Sequence, residues 1–326
     1  MNSEEVLLFT PQEVRSLLTI DECIEAVERA FRLYGDGKAV PPAVLSMHTP
    51  NGGFHVKTGL LNLDRPYFGA KVNGNFPENQ KHFGLPTIQG VIVLCDAERG
   101  SPLAVMDSRD ITSLRTGAAT AVAAKYLART NSRVVTICGC GNQGRIQLEV
   151  LLRIRPVQRA FAYDKSEEQS LNFARELSDD LAISVTAVTD LAAAVRQSDI
   201  CVTCTPSRQP LLNADAVMPG TFIAAVGADN PEKQELEPKL MVSSKVVADV
   251  VEQCAVMGDL HHALAAGAVT RADVYAELGE VVAGKKRGRE SEEEIIIFDS
   301  TGMALQDVAV AALVYEKAKR RQLTFG

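Results

Sequence analysis

A chain of 326 residues with 46% hydrophobic and 23% charged side chains has room for two domains with separate cores. Its net charge of −7 argues against a broad nucleic-acid surface, and no run of eighteen apolar residues offers a membrane span. The first residues, MNSEEVLLF, are acidic and lack a signal-peptide pattern, so a cytoplasmic location is expected. The seven cysteines lie mostly in apolar, strand-like runs, which fits reduced, buried thiols better than a disulfide framework. Cys201 and Cys204 have C-x-x-C spacing, but no second pair follows and strand alternation would put the two thiols on opposite faces. The five histidines form no H-E-x-x-H or comparable spacing, so no catalytic metal is expected.

In chain order, Thr10-Pro-Gln-Glu13 and Thr19-Ile-Asp-Glu22 both read as capping boxes. The second opens a helix with Cys23, Ala26, Val27, Ala30, Phe31 and Tyr34 on one face, stopped by Gly35. Gly37–Pro42 leads into strands at Phe54–Thr58, Tyr67–Asn73, Thr87–Cys95 and Leu103–Met106, with Asp96–Gly100 as a hairpin turn. The segment Gly74–Pro86 is too rich in breakers to form an element. Asp110–Arg129 is a long helix full of small residues, which permit close backbone approach and suit a helix running between two domains.

Val134–Asp164 carries the strongest signal. A β-branched strand, Val134–Ile137, runs straight into Gly139-Cys140-Gly141-Asn142-Gln143-Gly144, the pattern G-x-G-x-x-G. A helix with apolar Ile146, Val150, Leu151 and Ile154 follows, then a strand, Arg159–Tyr163, ending in Asp164. Glycines let backbone approach a pyrophosphate, the helix start offers unpaired N–H groups, and the carboxylate accepts hydrogen bonds from ribose hydroxyls. A dinucleotide site is therefore expected here. Helix Ser166–Leu177, strand Ser184–Val188, helix Leu191–Arg196 and strand Ile200–Thr205 continue the alternation, with further strands at Thr221–Gly227, Lys245–Val250 and Ile295–Phe298. Such alternation means a parallel, doubly wound α/β sheet. Gly284–Glu294 reads as a solvated charged loop, and Ala304–Arg320 as a helix returning to the first domain. The expected division is a discontinuous α+β domain of residues 1–115 with 304–326, and a dinucleotide-binding domain of residues 116–303.

Ligands of doubly wound folds bind beyond the carboxyl ends of the strands, which singles out Thr205, Ser207, Asp229 and Ser300. Asp229 is an acid where a proton donor or acceptor is needed, or else a turn-forming residue. Lys71, inside an apolar strand, either snorkels at an edge or points into a polar cavity. Arg115, among small apolar neighbours, reads as a carboxylate or phosphate clamp, or as the partner of Asp107 or Asp110.

SLRTGAATAVAAKYLA, ICGCGNQG, TPS, VGADNPEKQEL and FDSTGMALQDVAVAALVYEKA resemble the ornithine cyclodeaminase/μ-crystallin family, from about Phe68 to the C-terminus. That family includes archaeal-type alanine dehydrogenases and ketimine reductases. The resemblance implies a homodimer acting on a small amino or imino acid with NAD(P). NAD is the expected cofactor and NADP the less favoured one, because the Asp164 carboxylate would sit against a 2′-phosphate. By motif, Lys71 and Arg115 match substrate-carboxylate and catalytic-site cations, and Asp229 the acid/base. Thr87, Lys233 and Ser300 match cofactor-site positions. The expected activity is an NAD(P)H-dependent oxidoreductase of the Cα–N bond. A redox-neutral cyclodeaminase and a non-catalytic binding protein are its rivals. The chain departs from the family after Pro41-Pro42, where Ala43 and Val44 replace a usual arginine, and at Lys57-Thr58, which replace Met-Pro. Lys57 is expected to supply the missing charge, so ornithine is not assumed as substrate.

Overall fold

The computed structural model describes residues 5–325; Met1–Glu4 of the acidic start and Gly326 at the far end of the expected first domain lie outside the described residues. The chain forms two compact units, one reaching to Ala118 and resuming at Met303, the other spanning Ala119–Gly302.

The first unit is built on a six-stranded sheet. Its strands are β1 (Leu7–Phe9), β2 (Ala39–Thr49), β3 (Gly52–Asn62), β4 (Pro66–Asn75), β5 (Ile88–Asp96) and β6 (Pro102–Asp107). They lie in the order β1-β6-β5-β4-β3-β2, antiparallel except for the β1–β6 pair. Both capping boxes form. Thr10 N donates to Glu13 at 2.8 Å and Thr19 N to Glu22 at 3.2 Å, and each threonine hydroxyl accepts from the matching backbone N–H. Each box is worth on the order of 1 kcal/mol to the helix it starts, here Pro11–Leu17 and Ile20–Gly35. Cys23, Val27, Ala30 and Phe31 of the second helix are buried, as its periodicity requires.

The C-terminal helix Ala304–Phe325 crosses one face of this sheet. It comes so close that a Cβ on Gly69 would sit 2.7 Å from Val308 and one on Gly59 would sit 2.9 Å from Leu305. Tyr67, Gly69 and Lys71 therefore point at the helix, while Phe68, Ala70 and Val72 point away from it.

Two readings of this unit are corrected. The eleven-residue strand β2 runs through Pro41-Pro42, where the sequence gives no strand signal. It is an edge strand, and its register shifts between Val40 and Ala43, so the missing proline N–H groups break no central ladder. The breaker-rich segment Gly74–Pro86 holds a short helix, Asn79–Phe83, closed by Gly84 at φ 67°.

The second unit carries an all-parallel eight-stranded sheet: β7 (Val134–Cys138), β8 (Arg159–Tyr163), β9 (Ser184–Ala187), β10 (Ile200–Thr203), β12 (Phe222–Ala225), β14 (Lys245–Ala248), β15 (Ala276–Glu277) and β16 (Ile296–Asp299). Two short strands, β11 (Arg208–Leu212) and β13 (Gln234–Leu236), pair apart from it. The order β15-β14-β16-β12-β10-β7-β8-β9 leaves β7 in both directions, so the topological switch lies between β7 and β10. That is where a doubly wound sheet opens a crevice for a ligand. Almost every position of β7, β10, β12 and β16 is buried, as strands covered on both faces must be. The charged segment Gly284–Glu294 is a loop, but not simply a solvated one. Arg289 donates to the Leu127, Ser291 and Glu294 carbonyls, and Lys245 pairs with Glu290 and Glu294.

Candidate functional site

At the switch point, Gly139 leaves β7 at φ 105°, a conformation that disfavours any side chain, and its Cβ would meet the Cys204 carbonyl at 2.9 Å. Gly144 sits in the first turn of the helix Asn142–Ile154, where a Cβ would lie 2.1 Å from the Gly139 carbonyl. Gly141 differs from both: a Cβ there would meet nothing within 4 Å. Two glycines thus close the strand–helix turn and the third leaves room for a ligand to reach backbone. Gly141 is also the helix N-cap and offers no side chain to its first N–H groups, at the turn that carries Asn142 and Gln143. Asp164 follows β8 and is anchored from both sides, accepting from Cys140 N at 2.9 Å and Ser166 N at 3.0 Å. These residues fit a dinucleotide: an open cradle, a helix start without a capping side chain, and a carboxylate fixed beside them.

The residues at the other strand ends are tied into the protein. Thr205 donates its hydroxyl to Glu235 at 2.7 Å, Ser207 to the Gln209 carbonyl at 2.7 Å, and Ser300 to Asp249 at 3.0 Å. Asp229 lies just past β12 and pairs with Lys233 Nζ at 2.7 Å. Asn230 turns this loop, its Oδ1 accepting from Glu232 N at 3.0 Å and Lys233 N at 3.2 Å.

In the first unit, Lys71 does not snorkel: it is 3% exposed, on an interior strand. Its Nζ lies 2.8 Å from Asp307 on the C-terminal helix. Arg115 meets the same carboxylate through Nε at 3.0 Å and Gln306 Oε1 through Nη1 at 3.1 Å. Its expected partners are engaged elsewhere, Asp107 with Arg109 and Asp110 with Arg15. Lys57, 8% exposed, is the cross-strand neighbour of Lys71, with Val44 opposite it on β2. Among the described residues, Lys57, Lys71 and Arg115 are the three buried basic side chains, and they surround one acid. Burial and the Arg115 guanidinium push Lys71 down to about 7 against the pull of Asp307. Burial alone would raise Asp307, but Lys71 and Arg115 hold it below the usual carboxylate range. The cluster keeps its acid ionised and carries a surplus of positive charge. Thr87, by contrast, is exposed just ahead of β5, where its carbonyl accepts from Phe76 N at 2.9 Å.

The model of the ornithine cyclodeaminase/mu-crystallin family matches residues 4–322. The chain belongs to that family. It is 44% identical over 314 residues to the alanine dehydrogenase of Archaeoglobus fulgidus, covering 96% of this chain and 95% of that one. The structure of an archaeal alanine dehydrogenase dimer with bound NAD superposes with a TM-score of 0.93 at 44% identity, over 97% of both chains. The Δ1-pyrroline-2-carboxylate reductase of Thermococcus litoralis, with NADH and L-proline, matches with a TM-score of 0.92 at 35% identity, over 97% of this chain and 98% of that one.

Sequence reasoning passed over the buried acids. Asp307 partners the cations, and Glu235, Asp249, Asp259 and Asp299 bind backbone N–H groups at the strand ends of the second unit. One signal was available. Asp307 interrupts Met-Ala-Leu-Gln-Asp-Val-Ala-Val-Ala-Ala-Leu-Val, a stretch apolar on every helical face, where an acid needs a buried partner.

Proposed function

We propose that the protein interconverts a small amino acid and its imino or 2-oxo form, with Lys57, Lys71 and Arg115 holding the substrate carboxylate. As a member of its family it is an NAD-dependent amino acid dehydrogenase or imine reductase. The cation cluster carries the substrate reading. Three buried bases against one acid leave positive charge that a carboxylate ligand would neutralise, and burial makes that neutralisation strong. Arg115 supplies a planar fork and Lys71 a point charge beside it. Lys57 takes the place of the arginine that Ala43 and Val44 lack.

NAD(H), when bound, supplies or accepts the hydride at the substrate carbon. Asp229 handles the proton at the substrate nitrogen, and its pair with Lys233 holds the carboxylate ready for that work. Gly139, Gly141, Asn142, Gln143 and Gly144 form the pyrophosphate cradle. Thr205, Ser207, Lys233 and Ser300 border the same strand ends, and Thr87 is assigned to the cofactor by its place in the family motif. Asp164 favours NAD over NADP, because its fixed carboxylate would repel a 2′-phosphate.

The active form is a homodimer built on the outer face of the six-stranded sheet. From β2 to β5 that face carries Leu45, Met47, Phe54, Val56, Val72 and Val91, and no ionised side chain. Leu45 and Met47 are 59% and 62% exposed in the single chain. An apolar face of this kind needs a cover, and the related alanine dehydrogenase is a dimer. Val72→Asp should turn a dimer into a monomer in light scattering.

The activity is tested by NADH oxidation with 2-oxo acids plus ammonia and with cyclic imine carboxylates. Net NADH consumption with one of these is expected. Ammonia release from a diamino acid without net NADH change would make the protein a cyclodeaminase instead.

A further inference from the structure

Glu235 is a fully buried carboxylate that the chemistry above does not use. One oxygen accepts from Thr205 N at 2.6 Å and from the Thr205 hydroxyl at 2.7 Å. The other accepts from Gly227 N at 2.9 Å. Thr205 and Gly227 begin the loops that leave β10 and β12, which are neighbours in the sheet. The second of these loops, Gly227 to Glu235, carries Asp229.

Glu235 therefore closes the neck of the Asp229 loop and fastens it to the Thr205-Pro206-Ser207 loop. The closure is tight: a Cβ on Gly227 would lie 2.5 Å from the Thr205 carbonyl and 2.6 Å from the Glu235 carboxylate. Glu235 is itself held, since its N–H and that of Leu236 both donate to Asp259 at 2.8 Å. At the far end of the loop, Lys233 binds Asp229 through its side chain, and its carbonyl lies 2.8 Å from His262 Nε2. Near their outer ends the two loops are also joined by Gln234 N, which donates to the Ser207 carbonyl at 2.9 Å, and by Arg208 paired with Glu232 at 2.7 Å. At the base of the loops, where they leave the sheet, the buried Glu235 side chain holds Gly227 to Thr205.

We infer that Glu235 is a positioning residue for Asp229, fixing the height of the acid/base above the sheet through a carboxylate clasp on two loops. This rests on the acid/base assignment of Asp229. A carboxylate suits the clasp because both oxygens accept, and three N–H or O–H donors converge on them. Glu235→Gln keeps the shape but turns one acceptor into a donor facing a donor, which opens one side of the clasp. The loop should then sample positions from which Asp229 misses the substrate nitrogen, and misplacement of this size costs rate more than binding.

The test is a double-mutant cycle on kcat, with NADH affinity followed by fluorescence titration. Glu235→Gln should lower kcat roughly 10- to 100-fold and leave the NADH Kd within about twofold, a split that general loss of structure would not give. In the Asp229→Asn background the same substitution should lower the residual kcat by less than about threefold, because the group it positions is gone. Full additivity, an unchanged kcat in Glu235→Gln, or a parallel loss of NADH binding would each overturn the proposal. Wild-type kcat in Asp229→Asn alone would instead remove Asp229 from the chemistry and the positioning role with it. If Glu235→Gln does not fold, Gly227→Ala, which pushes the two loops apart from the other side, takes its place in the cycle with the same expected non-additivity.

Discussion

The protein contains two buried ionic clusters of opposite imbalance, and they are satisfied in different ways. In the first unit Lys57, Lys71 and Arg115 gather around the single acid Asp307. In the second, Glu235, Asp249, Asp259 and Asp299 are buried without a basic partner among them. The acids are answered by neutral donors. Backbone N–H groups of Gly227, Gly302, Leu236 and Leu260 donate to them at 2.7–2.9 Å, and so bind the ends of β10, β12, β14 and β16 to one another. Fixed dipoles can hold a buried acid in place, ionised or protonated, and what results is scaffold. The cations of the first unit gather on one carboxylate, which serves Lys71 and Arg115, while Gln306 Oε1 accepts a further Arg115 N–H. Surplus charge left in that state is what the proposed function assigns to a substrate carboxylate. Substitutions in the first cluster should therefore act on substrate binding, and those in the second on stability and its pH dependence, with Glu235 reaching turnover only through the loop it positions.

The largest effect is expected from Arg115→Met. It removes a charge and a fork from a site where Asp307 keeps its pair with Lys71, so the fold should persist. KM for the carboxylate substrate should rise roughly 10²- to 10³-fold, the scale of losing a buried charge-assisted pair. Unfolding of the variant under native conditions would show that this cluster, too, is scaffold.

Titration of Lys71 sharpens the same contrast. Its protonated form is the one that binds a carboxylate, and its folded pKa is about 7. Substrate affinity should therefore fall above pH 7, by up to about tenfold per unit, and Lys71→Met should flatten that profile. The stability term has the opposite sign. Between about 7 and the ordinary lysine value near 10.4 the unfolded chain holds the extra proton, so stability rises with pH across that window. A pH-independent KM between 6 and 9 would mean that Lys71 does not face the substrate.

Cofactor choice should move by about tenfold. Asp164→Ser removes the carboxylate that would repel a 2′-phosphate and leaves the exposed Lys165 in place. The ratio of kcat/KM for NADH over NADPH should narrow or reverse. A wild-type preference for NADPH would mean that Asp164 serves only to anchor Cys140 and Ser166.

The smallest effect probes the second cluster. Burial, followed by the neighbouring Glu235, pushes Asp259 up to about 7. Its contribution to stability is therefore full below about pH 4 and is lost as pH rises through 7. Asp259→Asn keeps the acceptor for Glu235 N and Leu236 N while removing the charge. Relative to the native protein it should gain about 1–3 kcal/mol between pH 5 and pH 8 in denaturant titrations. A constant difference between the two proteins would show that Asp259 does not change charge in that range.

Much of the second unit was legible in the sequence because its signals are local. The strand before Gly139, the glycines, and the acid after the strand Arg159–Tyr163 all sit within about thirty residues, and the structure places them as the spacing requires. The capping boxes were legible for the same reason. Strand β2 was not, because Pro41-Pro42 hides an edge strand whose pairing is decided by its neighbour β3. The clusters were legible by halves. Lys71 and Arg115 stand out as charges in apolar surroundings, whereas Asp307 lies 192 residues from Arg115 in sequence and only folding brings it to the cations. Glu235, in the short strand Gln234–Leu236, looks like any surface acid, and its role appears only when two loops meet over it.

The central claim, that the buried cations of the first unit hold a substrate carboxylate, is tested most directly by a matched pair of substrates. The measurement is kcat/KM for NADH-dependent reduction of the preferred imine or 2-oxo acid and of its uncharged amide, in the native protein and in Arg115→Met. The acid should be preferred by roughly 10²-fold or more in the native protein, and the preference should collapse in the variant. Equal kcat/KM for acid and amide in the native protein would contradict the account.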